Sequence, residues 1–213
     1  MFVLSINCSV RYLLIFIISI CFSIDNQSFE PTIKDSLPSN IPFIKKTLWG
    51  EKGFLRNTFI DPQSRIKEIE MRHNMLQLHQ KVALFTFGAM LYQYNLGNRM
   101  IEDPYEYGEL KDTHMKLGYF TFTTYMTAAG LSILSPPAMK YTNKRFTSNK
   151  IHQYLAFIHF TGMMIQPWLG YQASVAGLEG RGQDRDELLK FHETVGTITV
   201  STYFLSFLMT LFR

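Results

Sequence analysis

The chain has 213 residues, 46% of them hydrophobic, with 21 Lys and Arg against 17 Asp and Glu for a net charge of +4. The charge is modest and gathers between apolar runs, so nucleic-acid binding is not implied. The two cysteines, Cys8 and Cys21, both fall near the N-terminus. The rest of the chain therefore has no thiolate cage and no C-x-x-C-H site for covalent haem, and any metal chemistry there rests on histidine.

Residues 1–23 read as a signal peptide or, uncleaved, as an N-terminal anchor that adds a fifth helix: Arg11 precedes an apolar run from Leu13 to Ile24. Residues 24–63 read as a polar linker with short local structure, because Pro31, Pro38, Pro42 and Pro62 interrupt long helices. Residues 64–74 read as an amphipathic interfacial helix, with Ile66, Ile69 and His73 on one face. Residues 75–213 read as one domain of four spans.

Four stretches lack Asp, Glu, Lys and Arg: 82–98, 117–139, 151–178 and 194–212. A bilayer core needs roughly 17–25 mostly apolar helical residues. The expectation is an all-α, integral membrane four-helix bundle running up-down-up-down, in a multi-pass placement such as a bacterial inner membrane, with lipid as a partner. Helix one is expected over 75–96, then a loop over 97–113 broken by Pro104 and Gly108. Helix two is expected over 112–134, stopped by Pro136 and Pro137. Helix three covers 148–176, kinked near Pro167, and helix four covers 186–211. Loop charges favour a cytoplasmic N-terminal side, whereas a cleaved leader puts that side outside, so orientation stays open.

A histidine opens each span, with a small residue four positions on: His79 with Ala83, His114 with Gly118, His152 with Ala156, His192 with Gly196. Residues i and i+4 share a helix face, so the small residue is read as clearance for a flat macrocycle. Because spans alternate in direction, His79 and His152 fall on one side and His114 and His192 on the other. One histidine near a helix end is ordinarily an amphipathic end residue. Four in register are much less easily accidental, and ionisable groups within spans read as functional. His73 reads as structural, and His159 as a mid-bundle hydrogen-bonding residue, with a relay role as the sharper alternative. Lys81, Lys144, Arg145 and Lys150 read as headgroup contacts before propionate ligands.

This histidine pattern over residues 75–212 resembles the cytochrome b561-type transmembrane dihaem proteins, with one ligand on each of four core helices, first paired with third and second with fourth. The resemblance implies two non-covalent, bis-histidine b-type haems, one on the His79/His152 pair and one on the His114/His192 pair. It implies transmembrane electron transfer, an oxidoreductase role, between a donor and an acceptor such as a quinol, a small reductant or a redox protein. A homodimer is compatible with it. The alternative is a haem-free membrane scaffold or assembly protein whose histidines bind a metal or pair helices.

Overall fold

The computed structural model of the chain describes residues 37–38, 40–59, 65–141, 143–144 and 146–211. The leader and any helix formed by it lie outside the described residues. The regular structure among the described residues is helical: α1 Phe43–Trp49, α2 Phe54–Phe59, α3 Arg65–Glu102, α4 Pro104–Leu134, α5 Ser148–Leu178 and α6 Gly182–Leu211.

The helices outrun their expected bounds. The amphipathic segment and the first span form one continuous helix, α3. The expected loop over 97–113 is almost wholly helical, with Asp103 alone between α3 and α4. Proline is tolerated at the first helical position, where its missing N–H has no intrahelical acceptor anyway. Asp103 caps the turn, its Oδ1 accepting from Tyr105 N at 2.9 Å. Pro104 thus starts a helix rather than breaking one. Thr147 caps α5, its Oγ1 accepting from Lys150 N at 3.3 Å. Pro167 lies inside α5.

No helix among the described residues is long and apolar enough to cross a membrane. This corrects the multi-pass integral-membrane placement expected above. The cause lies in equating charge-free with apolar. Between 117 and 134, α4 carries Tyr119, Thr121, Thr123, Thr124, Tyr125, Thr127 and Ser132, and α5 carries His152, Gln153, His159, Gln166 and Gln172. Hydroxyls and amides have a transfer cost even when uncharged. Many bond back to their own helix, such as Thr123 and Thr127 on α4 and Thr194 and Thr197 on α6, each donating to the carbonyl four residues earlier. That satisfies the hydroxyl without making the helix hydrocarbon-like.

The chain divides into two units. The first holds the described residues up to Lys81 together with Leu131–Tyr141. Its organising feature is the carbonyl run that follows from stopping α4 at Pro136-Pro137. A helix C-terminus leaves carbonyls without intrahelical partners, and prolines supply no N–H. Here seven consecutive carbonyls, from Ser132 to Ala138, each accept from a side chain. The Lys45 ammonium donates to Ser132 O at 2.9 Å, Ile133 O at 3.0 Å and Ser135 O, and to Ser135 Oγ at 2.8 Å. Buried Trp49 donates to Leu134 O at 2.9 Å, Arg72 to Pro136 O at 2.6 Å, and Arg65 to Pro137 O and Ala138 O. Cations at a helix C-terminus also suit the macrodipole. Glu68, 1% exposed, offsets this positive charge: it pairs with Arg65, and its Oε1 lies 2.7 Å from Arg56 Nε. Burial, aided by the nearby Arg72, pulls the Lys45 amine down to about 7.

The second unit holds Val82–Gly130 and the described residues after 142. It is a four-helix bundle of the second half of α3, most of α4, α5 and α6. Phe87 and Met90 from α3, Tyr125 from α4, Met163 from α5 and Tyr203 from α6 form its core. Neighbours run antiparallel: along α5 and α6, Gly162 meets Thr199 while Gly170 meets His192.

Candidate functional site

The two helix pairs of the bundle repeat each other residue for residue. Gln93, Leu96 and Gly97 of α3 match Gln166, Leu169 and Gly170 of α5 at constant spacing. His114, Gly118, Thr121 and Tyr125 of α4 match His192, Gly196, Thr199 and Tyr203 of α6. The contacts repeat too. Gln93 Nε2 donates to His114 O at 2.8 Å, and Gln166 Nε2 donates to His192 O at 2.7 Å. Leu96 and Leu169, the buried apolar residues beside the two glycines, are 1% and 0% exposed.

This repetition brings His114 and His192 together. Their ring centroids are 6.3 Å apart and their planes are inclined at 61°. Nδ1 of each ring is buried without a hydrogen-bond partner, as is Gln93 Oε1. The Nδ1–Cε1 edge of His114 faces Gly97, where a Cβ would stand 3.2 Å from Cε1; that of His192 faces Gly170, where it would stand 3.5 Å away. The carbonyl four residues before Gly97 is that of Gln93. Burial, reinforced by the neighbouring His192, holds the His114 imidazole down at about 4, with the Gln93 main chain opposing weakly. Burial lowers His192 as well, against the Gln166 main chain. Burial thus disfavours the charged form of both rings, and the neutral imidazole is the form that ligates metals.

The room over Gly118 and Gly196, which the sequence pattern assigns to a macrocycle, holds glutamine amides. A Cβ at Gly118 would lie 3.1 Å from Gln93 Nε2, and one at Gly196 would lie 3.0 Å from Gln166 Nε2. The glycines let a side-chain amide reach a helical carbonyl that already accepts one bond. Gln93, Gln166, Gly97 and Gly170 were missed because a histidine search passes over them; the internal repeat was the signal that marks them.

The remaining expected residues fall as follows. His152 Nδ1 lies 3.0 Å from Ser206 O and 2.9 Å from Ser206 Oγ. His79 is half-buried and belongs to the first unit, whereas His152 belongs to the second. Ala83 packs against the core, its carbonyl accepting from Tyr203 Oη at 2.8 Å. Ala156 is half-buried on α5. His159 is buried between α4 and α6, with Nδ1 2.6 Å from Tyr125 Oη and its ring 4.8 Å from that of Tyr203. His73 is exposed, its Nε2 2.9 Å from Gln77 Nε2.

Among the described residues no group of three or more His, Cys, Asp or Glu could hold a metal ion. The His114/His192 layer thus offers two ligands, which suits a metal that brings its own equatorial donors. No family model, curated protein or solved structure matches the chain.

Proposed function

We propose that the second unit is a haem-binding electron carrier, with His114 and His192 as the axial ligands of one b-type haem. The observation that carries this reading is the 6.3 Å separation of two half-buried imidazoles whose Nδ1 atoms are buried without a hydrogen-bond partner. A metal–nitrogen bond of about 2.0 Å on each side, with roughly 1 Å from nitrogen to ring centre, separates two collinear imidazole centres by about 6 Å. The number and spacing of the two imidazoles support the reading.

When bound, such a haem supplies a reversible one-electron couple without an open axial position for O₂. The chain's own work is to hold the two imidazoles close together and to disfavour their charged forms. The proposal rests on His114 and His192 alone. Donor and acceptor are taken to be a quinol, a small reductant or a redox protein.

The test is the colour of the protein purified from haem-replete cells. A reducible Soret band is expected, lost in His114→Ala and His192→Ala and kept in His73→Ala. A colourless preparation would favour the haem-free scaffold and end this reading.

A further inference from the structure

We propose that Gln93 and Gln166 are positioning residues that orient the two ligand imidazoles, each holding the backbone of its histidine through the side-chain amide and turning its own main-chain carbonyl toward the ring's Nδ1. This inference rests on the axial-pair reading of His114 and His192.

Three observations meet at each glutamine. The amide bond to the histidine carbonyl, 2.8 Å for Gln93 and 2.7 Å for Gln166, joins adjacent helices at the level of the ring. That bond sets the rotation of α4 and α6 about their axes, and with it the direction in which the imidazole leaves the backbone. Gly118 and Gly196 keep the amide's path open, since a Cβ at either would stand 3.1 or 3.0 Å from the amide nitrogen. Gly97, one turn beyond Gln93, removes a Cβ that would crowd the His114 edge at 3.2 Å, while at Gly170, one turn beyond Gln166, a Cβ would make ordinary contact with His192 at 3.5 Å. One glutamine and two glycines thus lie beside each histidine, and this set occurs twice.

The chemistry follows from the tautomer. A ligating imidazole ordinarily gives its second N–H to a carbonyl or carboxylate, which fixes which nitrogen faces the metal. In this layer Nδ1 is buried and lacks a partner at hydrogen-bond geometry. The nearest main-chain acceptor in the turn ending at Gly97 is the Gln93 carbonyl. A small rotation of the ring completes Nδ1–H···O=C and leaves Nε2 to the metal. The glutamine therefore acts through the histidine.

The experiment compares wild type with Gln93→Leu, Gln166→Leu and Gly97→Ala by haem titration and by electron paramagnetic resonance of the ferric form. The anisotropy of a low-spin bis-imidazole centre reports the angle between the two ring planes. The variants should fill to the wild-type ratio, bind about 10–100-fold more weakly, as is usual for loss of an outer-shell partner, and show shifted anisotropy. Wild-type affinity and an unchanged spectrum in all three would overturn the positioning role. Haem retained by a His114→Ala, His192→Ala double variant would instead overturn the axial-pair reading beneath it. Should Gln93→Leu fail to fold, Gln93→Glu keeps the volume and loses the amide donor; it should bind weakly too, and wild-type behaviour there counts against the proposal.

Discussion

Gly162 on α5 offers a sharp test of how closely the bundle is packed. An alanine Cβ there would lie 2.0 Å from Thr199 Oγ1, 3.2 Å from its Cβ and 3.4 Å from its Cγ2. The oxygen cannot simply swing away. Thr199 is 2% exposed, its Oγ1 donates to Val195 O at 2.6 Å, and a β-branched side chain in a helix has few rotamers. Relief requires α5 and α6 to part or Thr199 to abandon its bond. Overpacking of this kind costs about 1–3 kcal/mol, and a lost hydrogen bond adds about 1 kcal/mol. Against this, Gly→Ala returns about 1 kcal/mol of helix propensity. Gly162→Ala should therefore destabilise by about 2 kcal/mol, lowering Tm by roughly 4–8 °C for a chain of this size. Thr199→Ala removes the clashing oxygen, so the double variant should recover about 1 kcal/mol or more relative to the sum of the single changes. Thermal and denaturant melts of the four proteins measure the cycle. A Gly162→Ala protein as stable as wild type, or strict additivity, would refute the packing argument.

Other outcomes follow from the buried titratable groups. His114 drops from 6.5 to about 4 on folding, so the unfolded chain takes up its proton first as pH falls. Stability from this group is full above pH 6.5, declines between 6.5 and 4 and is flat below, and the loss amounts to about 3 kcal/mol; a His114→Gln variant that melts with the same acid slope would contradict this. Lys45 shows the matching behaviour at high pH. Its amine falls from 10.5 to about 7, so between those values the unfolded state holds a proton that the folded state lacks. Stability should rise with pH across that window, and Lys45→Met should flatten the rise in denaturant titrations. Trp49→Phe keeps the apolar bulk but strands the Leu134 carbonyl, and should cost about 1–3 kcal/mol, read as a lower denaturant midpoint; no change would mean that water replaces the indole.

Much of the helical architecture was legible in the residues. The stop of α4 before Pro136-Pro137 follows from proline's missing N–H, and α5 starts at Ser148 as expected, whereas α6 starts at Gly182, four residues before the expected 186. Pro104 misled because proline's effect depends on position: it breaks a helix interior and opens a helix at the first turn, and only the Asp103 cap decides between them. Membrane placement misled for a different reason. Absence of charge is visible in a sequence at a glance, whereas the summed cost of Thr, Tyr, Gln and His along one helix is not.

By itself the sequence determined the all-helical class and the spacing of four histidines, because each depends on local periodicity. Only the tertiary structure decided what those histidines face. It brought His114 to 6.3 Å from His192 and filled the room over Gly118 with the Gln93 amide. It also set Lys45 among carbonyls almost ninety residues away in the chain. Such contacts join residues distant in sequence, and they are fixed by how helices rotate and pack, which no local pattern encodes.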